Sequence, residues 1–298
     1  MSPETAIIEH MCECMQMFTE PTRAWFMQAF ASPTDVQREA WPAISAGKNV
    51  LAVAPTGAGK TLAAFLWAID SLMAASPRDA PRKPGVTVLY VSPLKALGTD
   101  VARNLQRPLA GIDEQRSRQG VASAGIRVAI RSGDTNARDR RKIVSHPPDI
   151  LVTTPESLYL MLTSKARHVL RSVRTVIIDE IHAIAGTKRG AHLALSLQRL
   201  DLLTAAPAQR IGLSATVRPV EQAARFLSGS APVSIIDPSA SPAMDVRVIE
   251  PVHDTADPGP AHSPGAPRHN PPTSRRPRLD PPARREAPRA HSAPAVRH

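Results

Sequence analysis

The chain has 298 residues, 42% of them apolar, and a formal net charge of +11, which allows one large core or two small ones and favours a polyanionic partner. Two cysteines, Cys12 and Cys14, are too few for a disulfide framework or a four-ligand zinc site. No apolar run approaches the roughly 20 residues of a membrane span and no basic-then-apolar leader is present, so the sequence reads as a soluble, cytoplasmic protein.

Met1 to Phe30 is expected to be helical, interrupted at Pro21, with Trp25, Phe26 and Phe30 spaced for a packed face. Ser32 or Thr34 can cap a helix carrying Gln37 to Ala46. The Gln37 amide suits an adenine edge, with one donor and one acceptor, as well as it suits a solvated helix surface. Leu51 to Thr61 then reads as a short strand, a tight turn and the start of a helix. Gly57 and Gly59 can take backbone angles other residues resist, which lets Thr56 to Gly59 close around a ligand. A helix beginning near Lys60 turns its unpaired N–H groups and positive dipole end into that turn, making an anion site. Lys60 would reach nucleotide phosphates and the Thr61 hydroxyl would ligate Mg2+. Ala54 stands where the common pattern has its first glycine.

An almost wholly apolar helix is expected over 62–75, followed by a Pro-rich, charged loop over 76–85. Strands are expected at 86–91, 126–130, 149–152, 173–178, 210–213, 233–236 and 246–249. Helices are expected after Ser92-Pro93-Leu94-Lys95, in the basic run 138–142, after Thr154-Pro155, over 189–203 and over 221–227. This alternation predicts an α/β domain with a mostly parallel sheet covered on both faces, whose ligands gather at the strand C-termini. The glycine turn, the Ser-Pro-Leu-Lys turn, the Thr-Thr-Pro-Glu turn and the pair Asp179-Glu180 all fall at such ends, as does Ser214-Ala215-Thr216.

Asp179 follows an aliphatic strand and can hold Mg2+ opposite Thr61, while Glu180 is placed to polarise an attacking water. His182 and His192 stand too far apart, without nearby cysteine, for zinc. A better role for His182 is to bridge the acidic pair to Ser214 and Thr216, coupling nucleotide state to a bound strand. From Pro251 onward 12 of the 30 prolines and eight arginines crowd together with almost no aromatic residues. The stretch 251–298 is therefore expected to be a disordered basic tail, and an out-of-frame stretch of a GC-rich gene would give the same residue mix.

Assembled, these motifs resemble the superfamily 2 helicases of the DEAD/DEAH-box type, and more closely the large helicase-related (Lhr) family. The likeness rests on Phe30-x-x-Pro-Thr-x-x-Gln37, the Ala54–Thr61 turn, Ser92–Leu97, Arg131–Thr135, Thr153–Ser157, Asp179–His182 and Ser214–Thr216. Gly186-Thr-Lys-Arg-Gly-Ala-His192 points to Lhr. The resemblance implies a RecA-like P-loop NTPase domain over 29–250, preceded by a helical lead-in over 1–28. It implies ATP and Mg2+ as cofactors and single-stranded DNA or an RNA:DNA hybrid as partner. By that likeness Gln37 meets adenine, and Lys95, Arg131 and Thr154 lie on the nucleic-acid side. Members of the family carry a second RecA-like domain that supplies arginines to the γ-phosphate, and no such motif follows here. A cut-short motor domain, supplemented or not by a second motor domain in another chain, is then expected to hydrolyse ATP weakly and to unwind nothing alone. The alternative is a non-catalytic, ATP- and nucleic-acid-binding remnant or regulator.

Overall fold

The structure is a computed structural model, and it describes residues 14–75, 85–215 and 218–238. Two helices lead in, α1 (Glu20–Ala29) and α2 (Asp35–Ser45). Strand β1 (Asn49–Val53) follows, then α3 (Lys60–Ala74) and β2 (Val88–Val91). Next come α4 (Lys95–Asn104), α5 (Gln106–Arg118), β3 (Val128–Arg131) and α6 (Ala137–Ser145). After β4 (Ile150–Thr153) stand α7 (Pro155–Leu162) and a 3-10 turn over Lys165–Leu170. The remainder is β5 (Thr175–Ile178), the short α8 (Ile181–Ile184), α9 (Lys188–Asp201), β6 (Gln209–Ser214), α10 (Val220–Ser228) and β7 (Val233–Ile236).

Among the described residues seven strands form one sheet in the order β3-β4-β2-β5-β6-β1-β7, and every neighbouring pair is parallel. Parallel strands need crossovers, and the crossover helices cover both faces, so the central strands are buried at nearly every position rather than at alternate ones. Successive residues point to opposite layers. Val50, Ala52, Val88 and Tyr90 face a core shared with α1, α2, α3 and α5. Leu51, Val53, Leu89 and Val91 face a second core shared with α7, α9 and α10. Helix α3 is buried on most sides because α2 lies outside it, and the Trp41 indole donates to Ala63 O at 3.2 Å. Asp70, buried on the same helix, accepts from the backbone N–H of Thr19 at 3.2 Å, which fastens the lead-in.

Three expectations shift. Pro21 opens α1 instead of interrupting a helix, because at the first turn its missing N–H has no partner to lose. Helix α5 was not anticipated, since its apolar positions Leu109 and Ile112 are sparse among charges. Most strands also run a residue or two later than the apolar runs suggest; the 173–178 run is paired only from Thr175. The 76–84 loop, Thr216, the 246–249 strand and the basic tail lie outside the described residues, as do the first thirteen positions.

Candidate nucleotide and nucleic-acid site

The turn after β1 has the backbone a phosphate cradle needs. Gly57 and Gly59 both sit in the left-handed region, at φ +85° and +82°, and Gly59 is the residue from which α3 starts. Lys60, in the first turn of α3, directs its ammonium back over the loop and donates to the carbonyls of Ala54 and Pro55, the latter at 2.8 Å. Thr61 is half-buried beside it, and Thr56 is exposed on the loop.

The helix α2 shapes this loop from outside. Thr34 and Gln37 have capping-box spacing, and the Gln37 amide oxygen accepts from the Thr34 N–H at 3.0 Å. The Thr34 hydroxyl donates to Ala58 O at 2.9 Å, and Gln37 Nε2 donates to Gly59 O at 3.3 Å. Gln37 is only 4% exposed, and a Cβ built on Gly59 would stand 2.5 Å from its Nε2. Beyond these bonds the amide oxygen keeps one acceptor position and Nε2 one donor position.

Two strands away, β5 ends in the acidic pair. The sheet order puts β6 between β1 and β5, so the two strand ends are separated by about 10 Å, two strand spacings. Asp179 is buried and donates its N–H to Val91 O at 3.0 Å, extending the ladder by one residue. Glu180 has φ +49°, the one non-glycine residue at positive φ among the described residues, so the chain turns sharply just after the strand. Burial lowers the Lys60 ammonium from its ordinary value, and the carboxylates of Glu180 and Asp179 act against that.

His182 joins this pair to β6. Its Nδ1 lies 3.3 Å from a Glu180 carboxylate oxygen, 3.4 Å from the Ser214 hydroxyl, and accepts from the Ala215 N–H at 3.3 Å. Those contacts reach Glu180 of the pair and Ser214; Thr216 lies outside the described residues.

Along the same sheet edge stand the residues expected on the nucleic-acid side. Arg131 ends the edge strand β3, and its guanidinium is lowered from its usual value by burial and then by the like charge of Arg140. Lys95 opens α4, and its side chain lies outside what is described. Thr154 is buried, and its hydroxyl caps α7, accepting from the Ser157 N–H at 3.3 Å. A groove of about 670 Å3 runs along β3 between Ile126, Ile130, Asn136, Lys142 and His146.

Two features were missed from sequence. Arg189, in the run after the acidic box, grips Glu156 of the Thr-Thr-Pro-Glu turn through two hydrogen bonds, the longer at 3.0 Å. The Arg189 bonds hold the Glu156 carboxyl down at about 2. Tyr90, buried in β2, donates its hydroxyl to Asp179 Oδ2. Burial, then the Asp179 carboxylate, drives its phenol far above the usual range. The available signal was a lone hydroxyl in an aliphatic strand.

The sequence model of the DEAD/DEAH box helicases matches residues 34–224. The chain belongs to the DEAD/DEAH box helicase family. This helicase-family chain is 61% identical over 239 residues to the Lhr helicase/probable uracil glycosylase of Mycolicibacterium smegmatis, covering 80% of this chain and 16% of that protein. It is 54% identical over 239 residues to the Lhr helicase/uracil glycosylase of Escherichia coli, covering 79% and 16%. It therefore spans about a sixth of the length of these two relatives. Among solved structures it matches the Mycobacterium smegmatis helicase Lhr bound to ssDNA and AMP-PNP, with a TM-score of 0.74 and 58% identity over 82% of this chain and 31% of that one. A helicase at 22% identity, MrfA bound to DNA and AMPPNP, shares the fold with a TM-score of 0.60. The RecA-like helicase fold and its family are thus established for this chain, and among the described residues no helix is long and apolar enough to cross a membrane.

Proposed function

We propose that residues 29–250 are the ATP-binding motor domain of an Lhr-type helicase, acting on single-stranded DNA or an RNA:DNA hybrid. The observation that carries this reading is that the Gly57–Lys60 turn and the Asp179-Glu180 pair follow the carboxyl ends of β1 and β5, two strands apart in one parallel sheet. In this reading the N–H groups around Gly57, Gly59 and the start of α3 cradle the phosphates and Lys60 supplies positive charge to them. The amide of Gln37 has one donor and one acceptor position left for adenine. The residues fit Mg2+: a hydroxyl on Thr61 and a carboxylate on Asp179 are oxygen ligands of the kind this ion takes. When bound, Mg2+ neutralises charge on the phosphate oxygens. Glu180 orients the attacking water and accepts its proton. His182, touching both Glu180 and Ser214, passes the state of that site to β6.

Nucleic acid lies across the ends of β2, β4 and β3, with Lys95, Thr154 and Arg131 on its path. Contacts there go mainly to phosphates, so binding is salt-sensitive and largely sequence-blind. The AMP-PNP and ssDNA in the Lhr relative's structure support both halves of the reading. The described residues contain one motor domain, and an arginine finger reaching the γ-phosphate contributes about 10³- to 10⁵-fold in other P-loop NTPases. Hydrolysis by the described domain without such an arginine is accordingly expected to be slow.

The test is fluorescent-ATP binding and ATPase activity of the whole chain, with and without saturating single-stranded DNA. The expected result is Mg2+-dependent binding, abolished by Lys60→Ala, and slow hydrolysis stimulated by DNA. Binding without any DNA-stimulated turnover would favour a regulator over a motor. Loss of neither binding nor turnover in Lys60→Ala would overturn the site.

A further inference from the structure

Tyr90 is fully buried in the middle of β2, among Val88, Leu89 and Val91. Its ring stacks on Phe65 of α3, with centroids 5.2 Å apart and planes 29° from parallel. Its hydroxyl reaches the Asp179 carboxylate on the next strand. Phenylalanine would fill the same space without bringing a polar group out of water, which costs free energy unless that group finds a partner. The tyrosine is thus explained by what its hydroxyl does to the carboxylate.

Asp179 has two oxygens to orient. Oδ1 accepts from the Glu180 N–H at 2.9 Å, a contact supplied by its own stretch of chain. Oδ2 takes its fixed position from Tyr90 on a different strand. Behind Tyr90, Phe65 sits on the same helix as Lys60 and Thr61. The stack and the hydrogen bond therefore join the phosphate-loop helix to the acidic strand through the middle of the core.

We infer that Tyr90 is a positioning residue, whose hydroxyl turns the Asp179 carboxylate toward the Mg2+ side of the nucleotide site and thereby sets how much Mg2+ nucleotide binding requires. This rests on the proposed role of Asp179. Tyr90 itself touches neither metal nor nucleotide. Partners that orient a metal's ligands change metal affinity by about tenfold or more when removed.

The experiment follows a fluorescent ATP analogue binding to the whole chain while Mg2+ is titrated, alongside binding in EDTA and thermal unfolding. Tyr90→Phe is expected to raise the Mg2+ midpoint by about tenfold, with binding in EDTA unchanged. A merely structural hydroxyl would lower the melting temperature and leave the Mg2+ midpoint where it was, and that result overturns the inference. Should Tyr90→Phe fold poorly, Phe65→Leu carries the test. It keeps the hydroxyl but loosens the ring, so its midpoint rises in the same direction, and an unchanged midpoint overturns the inference. If the unsubstituted chain shows no Mg2+ dependence at all, the proposed site falls and this inference with it. If that dependence is present and both variants reproduce it, only the role of Tyr90 falls.

Discussion

Alanine at Gly59 and alanine at Gly57 should differ, although both glycines hold nearly the same left-handed angle. The backbone penalty for a Cβ in that region is about 1–2 kcal/mol, offset by about 0.4–1 kcal/mol from the stiffer unfolded chain, leaving a net near 1 kcal/mol for each. At Gly57 nothing lies within 4 Å of the added methyl, so that sum is the whole effect. At Gly59 the methyl would meet Gln37 Nε2 at 2.5 Å and Thr34 Oγ1 at 3.2 Å. The Gln37 amide must then leave both Gly59 O and the Thr34 N–H. Two hydrogen bonds of about 1 kcal/mol each bring the total to about 2–3 kcal/mol. Urea unfolding followed by circular dichroism measures both substitutions. Repeating Gly59→Ala in a Gln37→Ala background should recover about 1–2 kcal/mol of coupling. Equal costs at the two glycines, or no coupling to Gln37, would refute the close contact between α2 and the phosphate loop.

Other outcomes follow from single contacts. The Arg210 guanidinium is nearly buried, paired with Asp201 at 2.5 Å and bonded to Leu227 O at 2.8 Å. Asp201→Ala leaves that cation without its counter-charge and should cost about 3 kcal/mol in a urea titration; a loss below about 1 kcal/mol would mean that water replaces the carboxylate. Glu156 is held at about 2 in the folded chain against 4.5 as the ordinary value, so its pairing with Arg189 stabilises fully above 4.5 and fades as pH falls toward 2. Both side chains are 39–53% exposed, which limits the pair to about 1 kcal/mol or less. The stability gap between the unsubstituted chain and Glu156→Gln should therefore shrink on acidification below 4.5, and a widening gap would contradict the pairing. Single-stranded DNA binding should weaken steeply between low and moderate salt, as fluorescence anisotropy would read; a flat response would exclude phosphate contacts as its basis.

The sheet was legible because parallel strands buried on both faces are written as unbroken apolar runs, as in Val-Ile-Ile before Asp179 and Leu-Ala-Val before Ala54. The phosphate turn was legible because Gly57 and Gly59 stand just before Lys60-Thr61 at the end of an apolar run. Helix α5 was not, since its buried face consists of Pro108, Leu109 and Ile112 in an otherwise charged stretch. Nor was the Tyr90–Asp179 bond, which joins residues 89 positions apart and depends on the strand order. The grip of Arg189 on Glu156 has the same cause: charge pairing across the surface has no periodicity for a sequence to carry. Gln37 lies between these cases. Its spacing from Thr34 announced a cap, while its contact with Gly59 needed the packing of α2 on the loop.

The place of β1 in the sheet has a consequence for how the protein is made. This strand is flanked by β6 and β7, so residues 49–53 find their neighbours only at 209–214 and 233–236. During synthesis, the segment that presents the phosphate loop waits for more than half of the described chain before either side of it is paired. Such distant closure is slow, and a nascent fragment released before β6 has emerged would leave the loop on an unsupported strand. The nucleotide end of the domain therefore gains its first sheet neighbour only once β6 has emerged.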